Sequence, residues 1–276
     1  MFNDMVKVGC PVGGPMNDPL VCVVLNGTTI EEMLDEAARS NLAGADLVEV
    51  RYDRLFLISP EVSEDNEEDE LAYLDTSEWG VREPGDIDIS AIISDLKEGI
   101  PLPVIFTIRS QNEGGHYPGE ESARIELLRE AIASGVSWVD LEVSIEEGVR
   151  KELVEAANAG KCKIISSIHG DSVPPAEEIV DMVKSNSDNC EIIKLCFETA
   201  NHHESLNLVE ASIEMTGSGI SYAIMGMGPG GDWPRLHAPM LEQSIVYTTL
   251  HSEYKLSEKG LINVKDARDA WALLEY

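Results

Sequence analysis

Between residues 21 and 250 the sequence alternates between short apolar runs and helical patterns, and this alternation constrains the fold more than any other feature. The runs are VCVVL (21–25), LVEVR (47–51), PVIFTIR (103–109), WVDLEV (138–143), KIISSIH (163–169), EIIKLCF (191–197), ISYAIMGMG (220–228) and SIVYTTL (244–250). One long acidic stretch apart, they recur roughly every 25–35 residues with a helix between, the mark of βαβ units and a parallel sheet. Thr29 opens the first helix with Glu32 three residues later, a capping-box arrangement. Eight such units in 276 residues predict an α/β protein, a (β/α)8 TIM barrel forming a single domain over 1–276. An open doubly wound sheet is the alternative.

Five of the runs finish in ionisable side chains that share a face. Residues two apart in a strand point the same way, so Glu49 sits beside Arg51, Thr107 beside Arg109, and Asp140 beside Glu142. His169 follows Ser167 and Ile165, and Lys194 stands between Ile192 and Cys196. A parallel strand buried on both faces reads as uninterrupted Val, Ile and Leu, and a charge placed there is costly unless it is paired or used. Charges on successive strands therefore point to a polar site around a common axis. In a barrel, such groups collect at the C-terminal strand ends and in the loops that follow.

Fifty-one acids face 20 bases, a formal net charge of −31, which makes nucleic acid and anionic membranes poor partners. The acidity has two readings. One is a surface adapted to high salt, where repulsion among carboxylates is screened; the other is an ordinary acidic protein with one acidic insertion. Acids run through the helices as well as the insertion, which favours the first. The insertion spans 58–86, and its Leu71, Tyr73, Leu74 and Trp79 suit one short helix anchored on the body. Residues 1–18 read as a flexible leader, without the basic start and apolar core of a signal peptide. No stretch approaches the roughly 18 apolar residues of a membrane span. The five cysteines, Cys10, Cys22, Cys162, Cys190 and Cys196, have no CxxC spacing, so no zinc site is expected. Their odd number fits reduced thiols in a cytoplasm.

Lys194 is the sharpest single signal. An ammonium held in an apolar strand loses hydration, which lowers its pKa and frees an amine able to form a Schiff base with a carbonyl. The alternative is a lysine paired with an inward carboxylate such as Glu49, Asp140 or Glu142. His169, at a strand end entering Gly170-Asp171, suits a general base beside an imine; alone, it would read as a histidine satisfied by neighbouring hydroxyls. Arg109 opens RSQNEGG, where Gly114-Gly115 permit a tight turn holding Glu113 over the barrel mouth. An exposed polar loop reads equally well there. Glu49/Arg51 and Asp140/Glu142 fit either substrate contacts or an internal ion-pair network. The glycine-rich MGMGPGGDWPR (225–235) lacks the Lys-Ser/Thr of a P-loop and the GxGxxG spacing. Its Arg235 reads as a bidentate carboxylate clamp, or else as a surface arginine.

Taken in order, E-V-R (49–51), T-I-R followed by E-G-G (107–115), D-L-E (140–142), S-I-H (167–169), I-K (193–194) and M-G-P-G-G-D-W-P-R (227–235) resemble the type I 3-dehydroquinate dehydratases. The match spans most of residues 21–250 and rests on order and spacing. It implies a lyase of the shikimate pathway, in aromatic amino-acid biosynthesis, converting 3-dehydroquinate to 3-dehydroshikimate and water without metal or redox cofactor. It also implies a cytoplasmic homodimer. Lys194 would match the Schiff-base lysine, His169 the proton shuttle and Glu113 the glutamate near it. Glu49, Arg51 and Arg109 would hold substrate hydroxyls, Arg235 the carboxylate, and Ser257 would contribute from a late lid segment. The chain departs from the family pattern at Val24 and Pro234, where serine is usual, and at Leu261, where glutamine is. These departures bear on lid and hydroxyl contacts, not on Lys194 or His169. Two rivals remain: a class I aldolase-type barrel, with a phosphate on Arg235, and a non-catalytic barrel that binds small carboxylates.

Overall fold

The computed structural model describes residues 18–60, 76, 79–250 and 256–276. Eight parallel strands form one sheet: β1 Leu20–Leu25, β2 Leu47–Arg51, β3 Val104–Thr107, β4 Trp138–Glu142, β5 Lys163–Gly170, β6 Ile192–Glu198, β7 Tyr222–Met227 and β8 Ile245–Thr248. They pair in the order β8-β1-β2-β3-β4-β5-β6-β7, and the sheet curls into the expected (β/α)8 barrel. Between β7 and β8 a side chain does the work of a ladder. The Gln243 amide accepts from Ile224 N (2.9 Å) and donates to Ile224 O (3.0 Å), and Ser244 N reaches Tyr222 O at 2.9 Å.

Parallel strands need crossovers, and the helices supply them: α1 Ile30–Ala43, α2 Ile89–Gly99, α3 Glu121–Ser134, α4 Glu147–Gly160, α5 Ala176–Asn186, α6 His202–Met215, a short α7 Trp233–Leu236 and the terminal α8 Val264–Leu273. The Thr29/Glu32 capping box forms in both directions. Asp88, Asn201 and Asn263 cap α2, α6 and α8. Each such cap contributes about 1 kcal/mol by satisfying amides that a helix start leaves open. None of the described helices is long and apolar enough to cross a membrane.

Strand alternation separates two apolar regions. Outward residues such as Val48, Val50, Phe106, Val139 and Ile164 pack under the helices, as do Ile193, Leu195 and Ile224. Inward residues Leu47, Ile105, Trp138, Ile165, Ile192, Ala223 and Ile245 plug the N-terminal half of the barrel. Two residues further along the same strands stand Glu49, Thr107, Asp140, Ser167, Lys194, Met225 and Tyr247. The change from plug to polar layer sets the floor of the site.

The expected run 103–109 is shorter as a strand, because carboxylates take over the amides past Thr107. Arg109 N donates to Asp53 Oδ1 (3.2 Å) and Ser110 N to Glu142 Oε1 (2.9 Å). Of the insertion, residues 61–75 and 77–78, with Leu71, Tyr73 and Leu74, lie outside the described residues, as does the leader up to residue 17. Its ends are fixed side by side: Leu57–Ile58 pairs antiparallel with Gly80–Val81. Arg82 Nη1 donates to the carbonyls of Thr28, Leu55 and Leu57 at 3.2, 2.5 and 2.5 Å. The chain thus leaves and rejoins the barrel at one place, and Trp79 is half-buried there.

Candidate active site

Above the apolar plug lies a cavity of about 650 Å³. Glu49, Arg51, Arg109, Glu113, His169, Lys194 and Arg235 all line it, so the sequence-predicted residues from five separate segments come together. Ser257 lies on the backbone turn Leu256–Lys259, and its side chain is outside those described.

Lys194 is 5% exposed. Its Nζ sits 3.2 Å from Glu49 Oε1, 3.9 Å from Asp140 Oδ2 and 3.9 Å from the centroid of the Tyr247 ring. The lysine is therefore both buried and paired with carboxylates. Glu49 Oε1 also accepts from Thr107 Oγ1 at 2.8 Å, which fixes the carboxylate beneath the amine.

Arg109 is the hub of the acidic side. It is 2% exposed and forks onto Asp140 (3.0 and 2.9 Å), with Nη1 also donating to Glu142 Oε1 (3.1 Å) and Ser167 Oγ (2.8 Å). Ser167 in turn donates to Asp140 Oδ1 at 2.6 Å. Burial opposes the Arg109 charge, but Asp140 and Glu142 overcome it and hold its pKa well above the ordinary value. For Asp140 too, burial works upward while Arg109 and Lys194 bring it below the carboxylate range. A buried network of this kind holds Arg109 and Asp140 ionised and in place.

His169 and Glu113 form the other half. Their Nδ1 and Oε2 lie 2.9 Å apart, and Ser144 Oγ donates to the second Glu113 oxygen. Glu113 ends a 3-10 turn, Gln111–Glu113, stopped by Gly114 at φ 76°. The next glycine is required by space: a Cβ on Gly115 would overlap the carbonyl of Arg109. Burial first, then the cations Arg109, Lys194 and Arg51, push His169 well below its usual pKa. Burial and the charge of Glu142 raise Glu113 to about 7, against the opposing effects of Ser144 and Arg109. The pair thus has a neutral imidazole and a carboxyl poised to exchange a proton near neutrality. With Nδ1 engaged by Glu113, Nε2 is the nitrogen for a substrate proton.

A carboxyl whose folded pKa is raised contributes stability that is present below the unfolded value and lost as pH rises through the folded one. Glu113→Gln is therefore expected to unfold like the parent near pH 4. It should be more stable by on the order of 2 kcal/mol at pH 8. Urea melts at the two pH values check this; equal midpoints at pH 8 would contradict it.

Arg51 and Arg235 flank the cavity. Arg51 forks onto Asp53 (2.8 and 2.7 Å). Asp53 is 0% exposed and also accepts from the backbone of Arg109 and His116 at 3.2 and 3.1 Å. Burial would raise Asp53, but Arg51, His116 and the Arg109 amide bring it down to about 2. One carboxylate thus ties the end of β2 to the loop that carries Glu113. Arg235 is held by carbonyls: Nε to Tyr247 O (3.0 Å) and Nη1 to Gly226, Gly231 and Gly260 (2.6, 2.7 and 2.7 Å). A Cβ on Gly226, Gly231 or Gly260 would press into neighbouring backbone, which is why this loop is glycine-rich. It cages a guanidinium instead of a phosphate. Burial lowers the Arg235 pKa, with Cys196 and Asp232 acting the other way. Arg235 has no ion pair with a carboxylate among the described residues, and it lines the cavity.

Sequence reasoning missed Asp53, Ser144 and Tyr247. Asp53 had a signal, an acid two residues beyond the strand-end Arg51. Ser144 and Tyr247 had none, since their roles come from contacts with Glu113 and Lys194 on other strands or loops.

A family model described as Type I 3-dehydroquinase matches residues 21–276. A 3-dehydroquinate dehydratase of Methanosarcina barkeri is 28% identical over 251 residues, covering 89% of this chain and 92% of its own. Another, from Klebsiella pneumoniae, is 26% identical over 263 residues, covering 93% and 94%. Among solved structures, a type I 3-dehydroquinate dehydratase of Clostridium difficile, with covalently modified comenic acid, superposes with a TM-score of 0.74. It has 22% identity and covers 93% of this chain and 92% of its own.

Proposed function

The chain belongs to the type I 3-dehydroquinase family, and from that premise we propose how its own residues dehydrate 3-dehydroquinate. The enzyme is a lyase of the shikimate pathway, and Schiff-base chemistry is general to its type. Lys194 adds through Nζ to the substrate ketone. Counted from the ammonium, lysine and ketone become an iminium and water, and the nitrogen keeps one N–H and its positive charge. The iminium acidifies the adjacent C–H, and His169 Nε2 removes that proton to leave an enamine. The enamine expels the β-hydroxyl as His169 returns the proton, so a second water departs with the oxygen. Hydrolysis of the imine then frees product and Lys194.

The observation that carries this reading is the pairing within one cavity of a buried lysine, between two carboxylates, with a neutral His169. Glu113 orients the imidazole and shares its proton. Arg235 receives the substrate carboxylate, Arg51 and Glu49 its hydroxyls, and Arg109 keeps the acids in place. Val24 and Leu261 present apolar walls, which leaves substrate recognition to the arginines and glutamates. Cytoplasmic residence and homodimeric assembly accompany the reading, supported by its biosynthetic role and by the family resemblance; sedimentation tests the dimer. The decisive assay follows formation of the conjugated enone of 3-dehydroshikimate by absorbance, with borohydride trapping of the imine. No turnover and no adduct, in low and in high salt, would overturn it.

Charge adds an unusual salt dependence. The substrate is an anion approaching a body of formal charge −31, and salt screens that repulsion over roughly 10 Å at 0.1 M. Raising ionic strength from low to about 0.5 M is expected to increase kcat/KM several-fold. A steady decline would mean that the arginines of the cavity dominate the approach.

A further inference from the structure

Three features of Tyr247 stand outside the chemistry above. Its ring centroid lies 3.9 Å from Lys194 Nζ. The side chain is 4% exposed, and its hydroxyl is buried with no hydrogen-bond partner among the described residues. Its carbonyl accepts from Arg235 Nε at 3.0 Å. A buried tyrosine ordinarily finds a partner for its hydroxyl, and leaving one unmade costs stability. Burial, with Glu49 and Cys22 nearby, raises the pKa of that hydroxyl and favours its un-ionised form. The face of the ring is what the fold places against the amine.

We propose that Tyr247 is a positioning residue for Lys194, its ring a platform beside the nitrogen that favours the positively charged iminium. The inference rests on Lys194 being the imine-forming residue. A hydrogen bond needs a hydrogen, and the nitrogen falls from three N–H groups to one when the imine forms. Lys194 Nζ donates to Glu49 Oε1 at 3.2 Å, while Asp140 Oδ2 at 3.9 Å is an ion-pair partner only, so a single hydrogen bond is all that remains open to the iminium nitrogen. The attraction of a ring for a cation acts on charge and needs no hydrogen, so it stabilises the iminium that forms once the neutral amine has added and water has left. The ring also covers one side of the nitrogen that water would otherwise reach. Because the same residue's backbone holds Arg235, the nitrogen and the carboxylate clamp are spaced by one residue of β8. Register fixes that residue against Cys22 of β1.

The test is a graded series at position 247 in the full chain. Tyr247→Leu is expected to lower kcat and the rate of borohydride-trapped adduct formation by roughly 3- to 30-fold, the range of a desolvated cation–π contact. Tyr247→Phe should recover that loss and raise Tm, since it deletes the unpaired hydroxyl. Phenylalanines with one, two and three ring fluorines at 247 keep shape while weakening the ring's hold on a cation. A stepwise fall in log kcat with each fluorine is expected, with the thermal melt little changed. A flat series, or a Phe variant as slow as Leu, would overturn the inference while parent adduct upholds the Lys194 reading. Absence of adduct from the parent would remove both.

Discussion

Lys194→Ala is expected to abolish turnover, with a loss on the order of 10⁴-fold or more, since among the described residues no other lysine lines the cavity to hold the substrate as an iminium. The covalent adduct trapped by borohydride from the parent should disappear with it. Intact mass resolves the two outcomes. The variant will also lose stability, because Glu49 and Asp140, both buried, lose a cation at 3.2 and 3.9 Å. Breaking a buried pair from one side costs about 3–5 kcal/mol, and Arg109 on Asp140 offsets part of that. Lys194→Arg separates charge from chemistry. A guanidinium restores the positive charge between the acids but is no nucleophile, so Tm should recover and turnover should not. Turnover by Lys194→Arg above about 1% of parent would place the nucleophile elsewhere.

His169→Ala should cost about 10²–10⁴-fold in kcat, the usual worth of a positioned base, while leaving the imine able to form. Trapped adduct is then expected to accumulate in the variant, a split that a general collapse of the site would not produce. The pH profile carries the sign. Burial and the cations Arg109, Lys194 and Arg51 hold His169 well below its ordinary 6.5. The imidazole therefore stays an unprotonated base as pH falls through that value. Parent kcat should hold below pH 6, whereas a limb centred near 6.5 would mean that the histidine is not surrounded by those charges during catalysis.

The strand repeat was legible because each unit carries its own local pattern. Thr29 with Glu32, and the helices leading to the runs at 138 and 163, all follow from spacing within a few residues. Lys194 and His169 were legible for the opposite reason: a charge inside an apolar run conflicts with its surroundings, and such conflict marks a site. What was not legible depends on distant partners. Asp53 meets the Arg109 amide across 56 positions, and Glu113 meets Ser144 across 31. Tyr247 looked like any inward strand aromatic until the closed barrel set it against Lys194. In the glycine loop at 225–231 the sequence shows what could bind there, but only the fold shows that the carbonyls of Gly226 and Gly231 hold Arg235. Arg235 is consequently a caged residue rather than a free arm.

The Gln243 amide between β7 and β8 has a consequence for how the protein behaves in company. Seven neighbouring pairs of strands are zipped by main-chain ladders; the last join has one main-chain bond, Ser244 N to Tyr222 O, beside a side chain acting as an honorary peptide unit. Were that amide lost, the seam would keep the Ser244 N to Tyr222 O bond but lose both amide bonds, and open strand margins recruit other chains. This glutamine thus helps to keep the ring self-contained, at the strand pair flanking the Arg235 cage.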